Sequence, residues 1–263
     1  MAASAAGAAG DALAGRRVLV TAGGTREPID AVRYIGNRSS GKQGHAIAAE
    51  AAHRGARVTL VTASDREPPP VDEVMVVQTA ADMQEAVAQR SSAADVVIMA
   101  AAVADFRPRE VVADKLAKAD GVPRLVLEPT PDILAGLGRS RRPGQVLVGF
   151  AAETADVAAR ARAKLIAKNL DVVVGNDVTS SDAGFDSDTN RAVIVDATAT
   201  IEVPLVDKQE LASILLDVVT THLENLSSAG PGPGSPTPAG TQLNGRHPDD
   251  PTGLRASMRR STS

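Results

Sequence analysis

The sequence predicts an α/β protein: a Rossmann-like, doubly wound, mostly parallel sheet with a β-hairpin extension. Three observations carry this expectation. Short β-branched and aliphatic runs alternate with longer Ala-rich amphipathic stretches, the pattern of repeated βαβ units. Four of the apolar runs end in Gly-, Ala- or Asn-rich loops, which gathers those loops at one edge of the sheet, where ligands of open α/β sheets bind. At 263 residues the chain can bury the core of one substantial domain and is too short for two large ones.

The elements follow in order. Val18-Leu-Val20 reads as a central parallel strand, and Gly23-Gly24 permits a sharp turn at its carboxyl end. Residues 44–54 read as a helix with Gly55 as C-cap, leading to a strand at 57–62. A strand at 74–78 precedes Thr79 and Asp82, a capping-box variant that opens a helix over 80–91. Residues 95–100 form a short apolar strand, and 101–108 a loop suited to substrate. Residues 125–127 read as a further strand, and Thr130-Pro131-Asp132 has the N-cap, Pro, acid order of a helix start. Then come a strand at 146–150, a helix over about 156–169, a strand at 171–174, a hairpin at 193–196 and 201–203, and a helix over 208–226. Residues 1–14, rich in Ala and Gly, and 227–263, rich in Pro, Gly and Ser, are expected to be disordered, leaving 15–226 as the folded domain.

Composition excludes several chemistries. The absence of cysteine removes disulfides, thiolate nucleophiles and Cys-based zinc sites. The four histidines, His45, His53, His222 and His247, lack paired ligand spacing, and no serine sits in a G-x-S-x-G elbow. A net charge of -4 with dispersed basic residues, one Tyr, three Phe and no Trp argues against a nucleic-acid partner. No run of about 20 apolar residues is available to span a membrane. The Ala-rich start lacks a basic n-region, so cytoplasmic residence is expected.

Gly36-Asn-Arg-Ser-Ser-Gly41-Lys42 satisfies the first seven positions of a Walker A loop, but Gln43 stands where the magnesium-holding hydroxyl belongs. Gly23, Gly24, Gly36, Gly41 and Gly44 also miss the G-x-G-x-x-G register. Taken singly these glycines are turn chemistry. Arg33, Arg38 and Lys42, clustered with Ser39 and Ser40 ahead of a helix, instead read as an anion site.

A string of motifs then appears in a recognisable order: Ala22-Gly-Gly-Thr-Arg-Glu-Pro-Ile-Asp30, Asn37-Arg-Ser-Ser-Gly-Lys42, Ala101-Ala-Val-Ala-Asp105, Lys115-Leu-Ala-Lys118, Pro131-Asp-Ile-Leu134, Gly149-Phe-Ala-Ala-Glu-Thr154, Lys164 to Asn169, and Asn176-Asp-Val178. From about residue 16 to 224 this closely resembles bacterial phosphopantothenate-cysteine ligase, the ligase domain of the bifunctional coenzyme A biosynthesis protein. The resemblance implies that the carboxylate of 4'-phosphopantothenate attacks CTP, giving an acyl-cytidylate and pyrophosphate, and that L-cysteine then displaces CMP to give 4'-phosphopantothenoylcysteine. It implies Mg2+ with the co-substrate CTP, and a homodimer with the hairpin near 193–203 as one candidate contact. A phosphopantothenoylcysteine decarboxylase domain is a further implied partner, and nothing in this chain resembles it.

Carried over by position, Asn37 contacts the acyl-cytidylate by donating to oxygen, and Lys115 neutralises developing charge. Gly23, Gly24, Ala101, Asp105 and Phe150, together with Pro131, Asp132, Ile133 and Leu134, match nucleotide-contact positions. Lys164 and Lys168, four apart on one helix face, meet the triphosphate. Which of Arg33, Arg38 and Lys42 holds the substrate phosphate stays open. No dedicated metal cage is visible, and Asp105 and Asp177 are candidates to reach magnesium directly or through water. Outside the family context Asn37 reads as a turn residue, Lys115, Lys164 and Lys168 as solvated charges, and Phe150 as core. Two departures stand out: Ala117 interrupts a run that is more basic in relatives, and Ala31 replaces a common proline. The alternatives are a nucleotide-binding module without turnover, a P-loop phosphotransferase, disfavoured by Gln43, and an ATP-using ligase.

Overall fold

The computed structural model describes residues 11–177 and 187–228. Its centre is β1 (Arg17–Ala22), a run of aliphatic residues buried on both faces as a central parallel strand must be. After β1 the chain forms the short strands β2 (Arg26–Pro28) and β3 (Tyr34–Gly36), then α1 (Lys42–His53), β4 (Arg57–Thr62), β5 (Glu73–Val76) and α2 (Ala80–Ser91). It then returns through β6 (Val96–Met99), β7 (Phe106–Pro108), β8 (Leu127–Pro129), α3 (Ile133–Ser140), β9 (Val146–Glu153), α4 (Val157–Ala167) and β10 (Val172–Asp177), and ends in β11 (Thr189–Asp196), β12 (Thr200–Asp207) and α5 (Lys208–Ser228).

Eight strands make one sheet in the order β12-β11-β10-β9-β6-β1-β4-β5, parallel from β5 to β10 and antiparallel at β11 and β12. Side-chain alternation sends Val18 and Val20 to one face with Ile47 of α1 and Leu211, Leu215 and Val219 of α5. Leu19 points to the other face, among Met83 and Val87 of α2, Leu137 of α3 and Leu165 of α4. The double winding follows from this: neither face of a strand apolar on both sides can be left to water.

The main sheet therefore agrees with the sequence expectation, with differences at its margins. The expected hairpin is longer than its apolar stretches, and it continues the main sheet, with β11 hydrogen-bonded along β10. Helix α1 begins at Lys42, two residues before the expected start, with Gly41 as N-cap. Asp132 caps α3, accepting from Ala135 N at 3.0 Å, so Thr130 is not the cap. The Thr79 and Asp82 box closes as expected, at 3.1 and 2.9 Å. Strand β8 lies two residues beyond the expected 125–127, and β2, β3 and β7 were not anticipated, since three-residue strands carry no period.

Residues 11–14 are not loose. Leu13 is fully buried and donates its amide to Arg54 O at 3.0 Å. Residues 227 and 228 belong to α5. The remaining expectation of disorder, for 1–10 and 229–263, lies outside the described residues.

Arg54 is 2% exposed and ties α1 to α5: it donates to Glu50 Oε1 at 2.8 Å, Asp217 Oδ1 at 2.6 Å and Ser213 O at 3.0 Å. Removing the guanidinium would strand the buried Glu50 carboxylate. Arg54→Ala is therefore expected to lower unfolding free energy by about 3–5 kcal/mol in chemical denaturation, and a loss below about 1 kcal/mol would reduce the network to a surface pair.

Candidate active site

The strand order reverses between β1 and β6, so the loops leaving their carboxyl ends part to either side and open a crevice. These loops are stitched together. Ala102 N donates to Gly23 O at 2.8 Å, Ala101 N to Thr21 Oγ1 at 3.1 Å, and Ala104 N to Thr25 Oγ1 at 2.9 Å. Gly23 has φ +83°, and a Cβ there would lie 2.5 Å from Ser64 N, while one on Gly24 would lie 2.5 Å from Asn37 O. The two glycines were expected as nucleotide contacts; both stand outside the cavity lining and set the path of the loop that carries Asn37.

The crevice is a cavity of about 610 Å3. Asn37, Arg38 and Lys42 line one side, after β3 and at the start of α1. Ala101 and Asp105 line the exit of β6, and Pro131 to Leu134 the start of α3. Phe150 on β9 joins Lys164 of α4 and Lys168 at its C-cap on the far wall. One cavity thus gathers residues spread across 132 positions of sequence, from Asn37 to Lys168.

Each polar group has a traceable setting. Asn37 Nδ2 donates to Val103 O at 2.9 Å, so the side chain also ties the two loops. No side chain caps α1, no acid lies in its first turn, and its first intrahelical bond runs from His45 N to Gly41 O; the amides of Gln43 and Gly44 begin the helix at the cavity wall as an anion-favouring end. Lys42 Nζ pairs with Asp188 Oδ1 at 2.6 Å. On the far wall Lys164 donates to Phe150 O, and Lys168 to Asp132 Oδ1 at 3.0 Å. Burial, reinforced by the Lys168 charge, pushes the Lys164 ammonium below the ordinary lysine range. Burial would raise the Asp132 carboxyl, but the hydrogen bond from Lys168 and the Ala135 amide outweigh it and hold it low.

Two expected residues are elsewhere. Arg33, taken as a phosphate candidate, is outside the lining. Its Nε donates to the buried Asp30 Oδ2 at 2.9 Å, and its Nη2 to Leu116 O at 3.0 Å. The Arg33 guanidinium holds the Asp30 carboxyl well below the usual carboxylate range against burial, with help from the amides of Val32, Arg33 and Leu116. Arg33 thereby serves the loop, while Arg38 and Lys42 stay at the cavity. Lys115 is exposed and also outside the lining, beside the Leu116 that this pair clamps.

Other lining residues were not singled out by sequence reasoning: Gln43 as a polar contact, Asn190 and Lys208. Asn176, quoted only within a motif, lines the cavity too. Asn190 interrupts the apolar alternation of β11 at a register shift, a weak signal that an amide is wanted there. Among the described residues no group of three or more His, Asp or Glu side chains converges on a metal position. Two amide oxygens of lining residues, Gln43 Oε1 and Asn190 Oδ1, are buried without a hydrogen-bond donor. Asp105 lines the cavity, and the side chain of Asp177 lies outside the described residues.

Comparison with known proteins fits this arrangement. Residues 13–223 match the family described as DNA/pantothenate metabolism flavoprotein C-terminal domain. The coenzyme A biosynthesis bifunctional protein CoaBC of Bacillus subtilis is 50% identical over 184 residues, which cover 69% of this chain and 45% of that one. Its counterpart from Mycobacterium tuberculosis is 47% identical over 231 residues, 82% of this chain and 54% of the relative. The chain thus spans about half the length of the curated relatives it matches. A crystal structure of the C-terminal domain of a CoaBC protein superposes with a TM-score of 0.70 at 40% identity, covering 82% of this chain and 99% of that one. By sequence over residues 13–223 and by fold, the chain belongs to the DNA/pantothenate metabolism flavoprotein C-terminal domain family.

Proposed function

We propose that this chain is a CTP-dependent ligase of coenzyme A biosynthesis, joining 4'-phosphopantothenate to L-cysteine through an acyl-cytidylate. The observation that carries the reading is the gathering of Asn37, Asp105, Phe150, Lys164 and Lys168 around one cavity at the switch point of the sheet. The names of the CoaBC relatives support the pathway.

In the first step a carboxylate oxygen of 4'-phosphopantothenate attacks the α-phosphorus of CTP, and pyrophosphate leaves with the electrons of the broken P–O bond. In the second the cysteine amine, having lost its ammonium proton to solvent, adds to the acyl carbon, CMP departs with the electrons of the C–O bond, and nitrogen releases one further proton to solvent to give the amide. Neither step needs a protein nucleophile, which agrees with a chain without cysteine; both need positioning and charge stabilisation. Arg38, Lys42 and the first-turn amides of α1 receive phosphate oxygens from one side, and Lys164 and Lys168 from the other. Asn37 faces the acyl group between the loops. The wall made by Pro131 to Leu134 and Phe150 frames the base. Magnesium carried by the triphosphate supplies further charge neutralisation. Lys115 acts on the same charge in this reading, which requires the 110–118 segment to approach the cavity from its clamp at Asp30 and Arg33.

A homodimer is part of the proposal. Its support lies less at the hairpin than around β7 and β8, where Val111, Val122, Leu125 and Val126 are all exposed. The decarboxylase activity implied by the resemblance is assigned to a partner domain.

The deciding assay is pyrophosphate release with Mg2+ and 4'-phosphopantothenate, comparing CTP with ATP, with and without cysteine. Release with CTP that requires phosphopantothenate, and amide product only with cysteine, is the expected result; no release from folded protein with either nucleotide would leave a binding module. Asn37→Asp exchanges a donor for a charge facing Val103 O and the acyl oxygens, and should lower turnover about 100-fold or more; turnover near wild type would remove Asn37 from the reaction. Lys115→Gln should slow single-turnover pyrophosphate release about tenfold or more, and an unchanged rate would exclude it. Triphosphate beside Lys164 should restore the proton affinity that burial lowers. CTP affinity should then be full below the pKa of Lys164 in the free protein and fall as pH rises through it, with proton uptake on binding in calorimetry. Uptake unchanged in Lys164→Met would assign the proton elsewhere.

A further inference from the structure

The loop that leaves β4 is pressed against both glycine-bearing loops of the cavity. A Cβ on Gly23 would lie 2.5 Å from Ser64 N, and one on Gly41 would lie 2.7 Å from Ser64 Oγ. Ser64 itself stands outside the cavity lining, whereas Ser39, Ser40 and Gly41 belong to it. The reaction scheme above gives Ser64 no task, yet its surroundings hold it firmly. Thr62, 2% exposed at the end of β4, pairs through Oγ1 with His45 Nε2 of α1 at 3.1 Å and accepts from Ser64 N at 3.1 Å.

The Ser64 hydroxyl has one hydrogen to give, and it goes to Ser40 O at 2.8 Å, while the oxygen accepts from Arg66 N at 3.3 Å. That bond draws the Ser40 carbonyl toward a residue behind the cavity wall. A trans peptide is planar with its N–H opposite its C=O, so the Gly41 amide of the same peptide is turned the other way. It reaches Ser39 Oγ, in the lining, at 3.4 Å, longer than a full-strength hydrogen bond. Gly41 has φ +78°, and a glycine offers little resistance to the whole peptide turning over. The reversed peptide would aim a carbonyl oxygen, an acceptor, at the place where phosphate oxygens need donors.

From this we infer that Ser64 is a positioning residue: its hydroxyl fixes the Ser40–Gly41 peptide with the carbonyl away from the cavity and the amide toward it, set to receive a phosphate group. The inference rests on the proposed reading of this end of α1 as a phosphate site, and it gives Ser64 no contact with substrate. The test is calorimetric binding of CTP with Mg2+, and of 4'-phosphopantothenate, to the full chain as wild type, Ser64→Ala and Ser64→Thr, with thermal unfolding alongside. Without the hydroxyl the peptide is correctly turned for only part of the time, and apparent affinity falls by that fraction. In Ser64→Ala at least one of the two dissociation constants should rise about tenfold or more, with the unfolding midpoint kept. In turnover the KM of that substrate should rise while kcat is retained. Ser64→Thr keeps the hydroxyl and should restore the affinity. Both constants unchanged in Ser64→Ala would overturn the inference, and so would a loss in Ser64→Thr equal to that in Ser64→Ala. Wild type that binds neither ligand would overturn the phosphate reading together with it.

Discussion

The cavity depends on one constraint: two neighbouring parallel strands, β1 and β6, release their chains at the same edge, and the released loops must find partners for their backbone groups. They find them in each other. Gly23, Thr25, Ala102 and Ala104 exchange hydrogen bonds across the gap, and Asn37 adds a side-chain bond to Val103. The buried Thr21 and Thr25 hydroxyls serve as acceptors, which explains two polar residues in or beside an otherwise apolar strand. Once the loops are joined, the start of α1 is fixed at the cavity wall, and the far wall follows from where β9 and α4 pack on the sheet.

Charge in the cavity is arranged in two separate settings. At the α1 end the positive field comes from backbone amides, with nothing acidic in the first turn to cancel it, while Lys42 beside them is paired with Asp188. The two lysines at the carboxyl end of α4 are in different settings. Lys168 has a carboxylate partner in Asp132, while Lys164 is half-buried against a carbonyl and a like charge, which lowers its own proton affinity. An arriving polyanion would relieve that pair, because it supplies the charge that burial withholds.

The Asp30 and Arg33 pair sits outside this field and does different work. Asp30 is buried and receives three backbone amides as well as the guanidinium, so it organises the turn between β2 and β3 and holds Leu116 from a segment 86 residues away. Arg33 is consequently a positioning residue for the 110–118 segment. A guanidinium is suited to this, since its fork reaches a carboxylate and a carbonyl together.

Most of the sheet was legible in the sequence because strands such as β1, β6 and β10 are short apolar runs flanked by turn residues and periodic helices. Caps with side-chain chemistry, such as Thr79 with Asp82, were legible for the same local reason. The burial of Leu13, the three-residue strands and the reach of the hairpin were not, since each is decided by contacts with residues far along the chain. Among site residues, motif order identified Asn37, Asp105, Phe150, Lys164 and Lys168, all of which meet at one cavity. By itself, then, the sequence determined the fold class, the strand that anchors it and the family of loops that face the ligand, because these follow from local pattern and composition. Tertiary structure alone decided that Arg33 turns to Asp30, that Gly23 and Gly24 shape a loop path, and that Gln43 and Asn190 leave oxygens unpaired in the cavity wall, because a side chain's partner is set by what packing brings within about 3 Å.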